Sequence, residues 1–300
     1  MIVWTHDRWR FPLPEHNRFP IQKYTLLRER VEDEVEVREA EPVPWEWLEA
    51  VHDPALIERI RTGRLSVREE RGLGIPWSEA LVERGRRSVG GTVAAAGLAL
   101  EQGLGMNLGG GTHHAGRDFA RGYCLFNDVA VALDRMRAEG RARRALVVDC
   151  DVHQGDGTAD LLGGDPDCFT LSLHGARNYP FKRIPSDLDV DLESGTGDAA
   201  YLAALADALD VAIPRAGAEL AFYLAGADPW HGDRLGRLAL TKEGLLARDE
   251  LVLDRLRATG AAVCVVLAGG YAEDVGDTVD INASTVRAVT SRSVALRDCR

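Results

Sequence analysis

The sequence predicts an α/β protein: one three-layer αβα domain over residues 1–300 with a mostly parallel central sheet. Three observations predict it. Short apolar runs alternate along the chain with longer helical patterns, which predicts a parallel sheet covered on both faces. Several runs are continuously apolar and rich in Val and Leu, as strands buried on both sides must be. No repeat, low-complexity stretch or Pro/Ser linker divides the chain, and a hydrophobic content of 45% is ample for one core.

Taken in order, Ile2–Trp4 reads as a first short strand, Phe19–Val31 as a helix and Val35–Val37 as a second strand. Trp45–Val51 and Pro54–Arg61 read as small helices, the latter with Asp53 as N-cap and Pro54 at its first position. Arg61–Pro76 carries two charge clusters and three glycines and reads as a loop. Ser78 opens a long helix to about Gln102, rich in Ala and Gly where it must lie close on a sheet. Asn127–Glu139 is the next helix. Then follows the apolar run Leu146–Val148, ending in Asp149. After it come strands at Cys168–Leu173, Leu188–Leu192, Leu220–Leu224 and Ala262–Leu267. Helices at Asp198–Ile213, Lys242–Ala258 and Val275–Val289 are interleaved with them.

Composition removes several classes of function. The formal charge is −11, from 36 basic and 47 acidic residues, which argues against nucleic acid as a partner. No apolar run reaches the length of a membrane span, and Met1–Asp7 has neither the basic nor the apolar region of a secretory leader. Five cysteines (Cys124, Cys150, Cys168, Cys264 and Cys299) form no CxxC pair. Reduced thiols in a cytoplasm are the simplest expectation.

The chemistry gathers where apolar runs end. Asp149, Asp151, His153 and Asp156 follow the strand at Leu146, at the edge of an open sheet where ligands usually sit. In an extended segment Asp151 and His153 project to one side, a carboxylate and an imidazole aimed at one point. Asp228 follows Leu220–Leu224 in the same way and is a natural third ligand; its plain structural reading is a turn or helix cap. Two carboxylates and one imidazole neutralise a dication and leave a position for water. Gly109-Gly110-Gly111-Thr112-His113-His114 is no phosphate loop, because no Gly-Lys-Ser/Thr follows. It sets two imidazoles near such a water, or else on the surface, with Asp149 and Asp156 available to orient them. Tyr271 follows Gly269-Gly270 at a third strand end, where a phenol is a neutral donor to an oxyanion or simply half-buried. Gly122–Asp128 is an aromatic loop that walls a narrow pocket or belongs to the core.

Together these segments resemble the histone deacetylase family of zinc-dependent deacylases. The carriers are Gly109–His114, Gly122–Asp128, Asp149–Gly157, Leu171–His174, Ala225–Asp228, Gly232–Gly236 and Ala268–Tyr271, in the family's order and spacing over roughly residues 1–290. Gln154, where many relatives have a second His, and Asn178-Tyr179-Pro180 look most like the class IV branch and its bacterial relatives. The resemblance implies the arginase/deacetylase fold and one zinc per chain on Asp151, His153 and Asp228. His114, paired with Asp156, would be general base and then general acid. His113, paired with Asp149, would be its electrostatic partner, and Tyr271 would polarise the acyl carbonyl. Gly122, Tyr123, Tyr179, Gly269 and Gly270 would line a channel for N-acyl lysine or a related N-acyl amine. Asp149, Asp151, His153, Ser172 and Leu173 match the family's monovalent-cation site, which takes potassium.

Three departures stand out. Leu73-Gly74-Ile75-Pro76 lacks the Asp with which the family's lid loop often grips substrate backbone. Ala268 replaces a common Gly or Ser, and Gln154 removes an imidazole near the metal. An arginase-like binuclear manganese hydrolase shares the fold. Gly155 and the Asp228-Pro229-Trp230 run lack two of its bridging carboxylates, so one metal is expected. An inactive module that binds acylated ligands is the alternative outside enzymes.

Overall fold

The computed structural model describes residues 1–15 and 17–297, so Cys299 lies outside the described residues. Among them, eight strands form one sheet: β1 (Ile2–Thr5), β2 (Glu36–Glu39), β3 (Leu104–Asn107), β4 (Ala145–Asp149), β5 (Cys168–Gly175), β6 (Leu188–Leu192), β7 (Leu220–Leu224) and β8 (Ala262–Val266). Their order is β2-β1-β3-β8-β7-β4-β5-β6, and every neighbouring pair is parallel. The carboxyl ends of all eight therefore share one edge of the sheet. The helices are α1 (Gln22–Val31), α2 (Trp45–Glu49), α3 (Pro54–Arg61), α4 (Val67–Leu73), α5 (Glu79–Gln102), α6 (Asp128–Ala138), α7 (Asp156–Leu162), α8 (Asp198–Ala216), α9 (Lys242–Arg257) and α10 (Val275–Arg297).

Strand alternation splits the core into two layers. Leu146 and Val148 of β4, Tyr223 of β7 and Val265 of β8 pack with α1, α8, α9 and α10 on one face. Val147, Phe222 and Cys264 pack with α3, α5 and α6 on the other. This is the three-layer αβα arrangement. No helix of the described residues is long and apolar enough to cross a membrane. Cys124, Cys150, Cys168 and Cys264 are buried free thiols.

Local signals placed most boundaries. Asp53 caps α3 by accepting from Ala55 N at 2.7 Å and Leu56 N at 3.1 Å, and Ser78 caps α5. The structure corrects two expectations and adds one strand that the sequence reading left unassigned. Arg61–Pro76 is not all loop: Ser66 and Glu69 form a capping box that starts α4, and Gly74 ends it at φ +75°. β3 occupies Leu104–Asn107 directly after the C-cap Gly103 of α5, so the glycine-rich loop also hangs from a strand end. Finally, β4 stops at Asp149, and Asp151 and His153 sit in a bend rather than an extended segment.

Candidate active site

Four strand tips build one site. Asp151 and His153 follow β4, Asp228 follows its neighbour β7, Gly269–Tyr271 follow β8, and Gly109–His114 follow β3. Asp149 of β4 stands level with Leu224 of β7, so the two acidic tips begin side by side.

One ligand atom from each of Asp151, His153 and Asp228 lies within 4.8 Å of the others. His153 Nδ1 is 2.9 Å from Asp151 Oδ1 and 3.3 Å from Asp228 Oδ2. The remaining carboxylate oxygens are held by backbone. Gly269 N donates to Asp151 Oδ2 at 2.7 Å, and Val152 N donates to Asp228 Oδ1 at 2.9 Å. Asp228 Oδ2 is buried without a hydrogen-bond partner. An acceptor left open in a buried site, facing a carboxylate and an imidazole, fits a divalent cation. Burial first, and then the Asp151 charge, pushes Asp228 up to about 7. Gly269 is glycine for a steric reason: a Cβ there would collide with both Asp228 and Asp151.

The two imidazoles differ in their partners. His113 Nδ1 is 2.7 Å from Asp149 Oδ2, and its Nε2 is 3.7 Å from Asp151 Oδ1. Burial lowers its pKa, but Asp149 and Asp151 outweigh burial and raise it to about 9. His114 Nδ1 is 2.5 Å from Asp156 Oδ1. Burial and then the His113 charge push His114 down to about 4 despite that bond. Asp156 also pairs with Arg121 through its other oxygen. The His113 and His114 ring centroids are 4.1 Å apart.

A cavity of about 410 Å³ leads down to these groups. Gly122, Tyr123, Tyr179, Gly269 and Tyr271 line it; Gly270 lies behind the wall and gives its carbonyl to Lys23 Nζ at 3.5 Å. Tyr179 packs edge-on to His114, with centroids 5.0 Å apart, and the Tyr123 and Tyr271 rings are 5.8 Å apart. Gly122 must be glycine, since its φ is +57° and a Cβ would run into the His114 ring. The segment after α4 forms part of the wall: Tyr123 N donates to Leu73 O at 2.8 Å. Gln154 does not face the triad. Its Nε2 donates to Ile184 O at 2.5 Å and Asp189 Oδ1 at 3.1 Å. Ser172 stands beside Asp149 in the β4–β5 register, with Leu173 next along β5.

Residues 14–286 match the histone deacetylase domain family. The chain belongs to that family. An uncharacterised protein of Picosynechococcus sp. is 42% identical over 279 residues, 91% of this chain and 93% of that protein. Histone deacetylase 2 of Arabidopsis thaliana is 36% identical over 189 residues, 62% of this chain and 49% of that protein. The crystal structure of an acetylpolyamine aminohydrolase from Burkholderia pseudomallei shares the fold. It has a TM-score of 0.78 at 20% identity, covering 99% of each chain.

The site of this histone deacetylase family chain also depends on residues to which the sequence reading gave no role. Asp128 holds the glycine-rich loop by accepting from Thr112 N at 2.7 Å and Gly111 N at 3.1 Å. Asp233 fixes the Tyr271 turn by accepting from Tyr271 N at 2.6 Å. Arg248 of α9 is fully buried, pairs with Asp249 at 2.8 Å and donates to Gly226 O at 2.5 Å, which braces the β7 tip. A signal for it existed. Leu245, Arg248, Asp249, Val252 and Leu253 share one helical face, so a charged pair stands in an apolar stripe. Lys23 of α1 is buried, and its Nζ donates to Ala268 O at 3.2 Å.

Proposed function

We propose that this protein is a zinc-dependent amide hydrolase that removes an acyl group from an N-acyl lysine or related N-acyl amine. One observation carries the reading. Asp151, His153 and Asp228 converge at the floor of an aromatic cavity beside two His–Asp pairs and a buried tyrosine. The names of the Arabidopsis and Burkholderia proteins support deacylation and an acylated amine as substrate. Among the described residues there is one cluster of three metal ligands, which favours a single ion over an arginase-like pair.

Asp151, His153 and Asp228 would hold the ion. When bound, it supplies Lewis-acid polarisation of the amide carbonyl and makes a nearby water more acidic. The protein's own groups do the rest. His114 gives Nδ1–H to Asp156, so its Nε2 lone pair is the one free to take the proton of the attacking water. At neutral pH the ring is uncharged and able to accept. The same nitrogen then hands the proton to the leaving amine as the C–N bond breaks. Burial, and then Asp151 and Asp228, push the Tyr271 phenol well above its usual pKa. It therefore stays protonated and donates to the developing oxyanion. Asp233 holds the Tyr271 amide, and Lys23 holds the backbone just before it. The rings of Tyr123 and Tyr179 guide an unbranched acyl-amine stem and keep bulk water out. On the resemblance, a potassium ion would occupy the backbone around Asp149, Asp151, His153, Ser172 and Leu173. The cytoplasm is the proposed compartment.

The test is hydrolysis of acyl-lysine peptides and acetylpolyamines by zinc-loaded protein, with metal content measured in parallel. Asp228→Ala should lose both metal and activity. Tyr271→Phe should keep the metal and lose about 10²–10³ in kcat. Full turnover in the Tyr271→Phe protein removes that residue from the reaction. Two manganese ions per chain would favour the arginase-like chemistry instead.

A further inference from the structure

The cavity does not stop at the metal ligands. Past Tyr271 it runs on to the tip of β1, where His6, Lys23, Tyr24, Arg84 and Ser88 line it. The groups there form a cluster around one ring. Arg84 Cζ is 4.4 Å, Lys23 Nζ 5.2 Å and the His6 ring 5.4 Å from the Tyr24 ring centroid. Lys23 Nζ is 5.5 Å from the Tyr271 ring centroid, so the cluster begins one side chain away from the reaction centre.

Its polar capacity is only partly used. Arg84 is 3% exposed, and its Nη1 donates to His6 O and Trp9 O, each at 3.0 Å. Its Nη2 has no partner, and neither has His6 Nδ1. Lys23, also 3% exposed, reaches only backbone carbonyls and aromatic faces. Among the described residues, no carboxylate pairs with Arg84 or Lys23 within 4.0 Å; nearby Asp7 is engaged by Arg28 at 3.0 Å. Two buried cations with no anion are costly, and they point to an anionic ligand. The walls on the way are apolar: Phe11, Leu81, Leu125 and Phe126 also line the cavity. A ligand that fits is a short methylene chain ending in a carboxylate.

We propose that the inner end of this cavity is a carboxylate subsite, formed by Arg84, His6 and Lys23, that selects acyl groups bearing a terminal carboxylate, such as succinyl or glutaryl. This rests on the deacylase reading. Water adds across the same amide C–N bond, and the products are the free amine and a dicarboxylate. The terminal carboxylate takes no part in bond making. It accepts hydrogen bonds from Arg84 Nη2 and His6, and Lys23 lies beside it.

The experiment compares N-butyryl-lysine and N-succinyl-lysine peptides, which have the same chain length with and without the charge. With zinc-loaded protein, kcat/KM should favour succinyl by about tenfold or more. Arg84→Met should erase that preference, and Arg84→Lys should restore part of it. Because the readout is a ratio, a general loss of activity cancels. Lys23→Met, read by the same ratio, serves if the Arg84 variants fail to fold. Equal or better butyryl hydrolysis by the wild type overturns the proposal, as does an unchanged ratio in the variants. Glutarate binding to metal-free protein is measured by calorimetry against the neutral diamide glutaramide. It should be about tenfold tighter and should lose that margin in Arg84→Met. If no acyl substrate is hydrolysed, the deacylase reading fails while this binding comparison still decides the subsite. Equal binding of acid and diamide, or binding of acetate without any succinyl preference, overturns it.

Discussion

His113 and His114 are neighbours in sequence, share a burial of 4% exposure each, and each bonds an aspartate through Nδ1. They nevertheless move in opposite directions, to about 9 and about 4. The difference lies in the other charges each ring meets. His113 looks across at Asp151, a carboxylate of the proposed metal triad, at 3.7 Å. His114 instead stands beside the charged His113 ring, which after burial pushes it down further than Asp156 can offset. Identity and burial therefore do not fix an imidazole's charge; the charges around the ring do. On the proposed reading, one ring stays beside the ligand triad and the other exchanges a proton with substrate.

The largest effect that would break this contrast comes from replacing each ring. His114→Gln should lower kcat by about 10²–10⁴, as expected for a lost general base. His113→Gln should cost about 10–100-fold, the usual size for a group behind a metal ligand. Steady-state kinetics on one acyl substrate decides it: equal losses would show that the pair acts as a unit. A smaller effect is expected from Arg121→Met, which leaves Asp156 with His114 alone. We expect about a tenfold fall in kcat with KM little changed, and no change at all would show that Arg121 is only a surface partner.

His52 sharpens the contrast because it is a buried imidazole bonded to backbone rather than to a carboxylate. Its Nδ1 donates to Gly116 O at 2.7 Å, and its Nε2 accepts from Asn127 N at 3.0 Å. Only the neutral ring satisfies both bonds, and burial pushes it down to about 4. The native state is thus fully favoured above the unfolded value near 6.5 and loses stability as pH falls toward 4. The loss attributable to this ring approaches about 3 kcal/mol at pH 4. Denaturant midpoints across that range should fall less in His52→Gln than in the wild type. Parallel curves would remove His52 from the acid response.

Much of this was readable along the chain, and the omissions share a cause. The α3 start was legible because Asp53 and Pro54 act within one turn. The α4 start was equally local, yet its Ser66–Glu69 box was hidden among charges and glycines. β3 is four residues long and includes Gly105 and Asn107, so it has no apolar period to detect. Gln154 reads as a substitution at the metal, but its side chain turns away to Ile184 and Asp189. Lys23, Arg84 and Arg121 carry no motif at all, and their importance is visible only from what surrounds them.

By itself the sequence determined the local matters: which stretches are strands, where helices are capped, and which residue types stand after each strand. These follow from interactions spanning a few residues, so a linear reading captures them. Only the tertiary structure decided that β7 lies against β4, which carries Asp228 across to Asp151 and His153. It also decided that the β1 tip faces the far end of the same cavity. Strand order is set by how whole layers of helices and sheet bury their apolar faces together, a balance summed over the entire chain and written in no single segment of it.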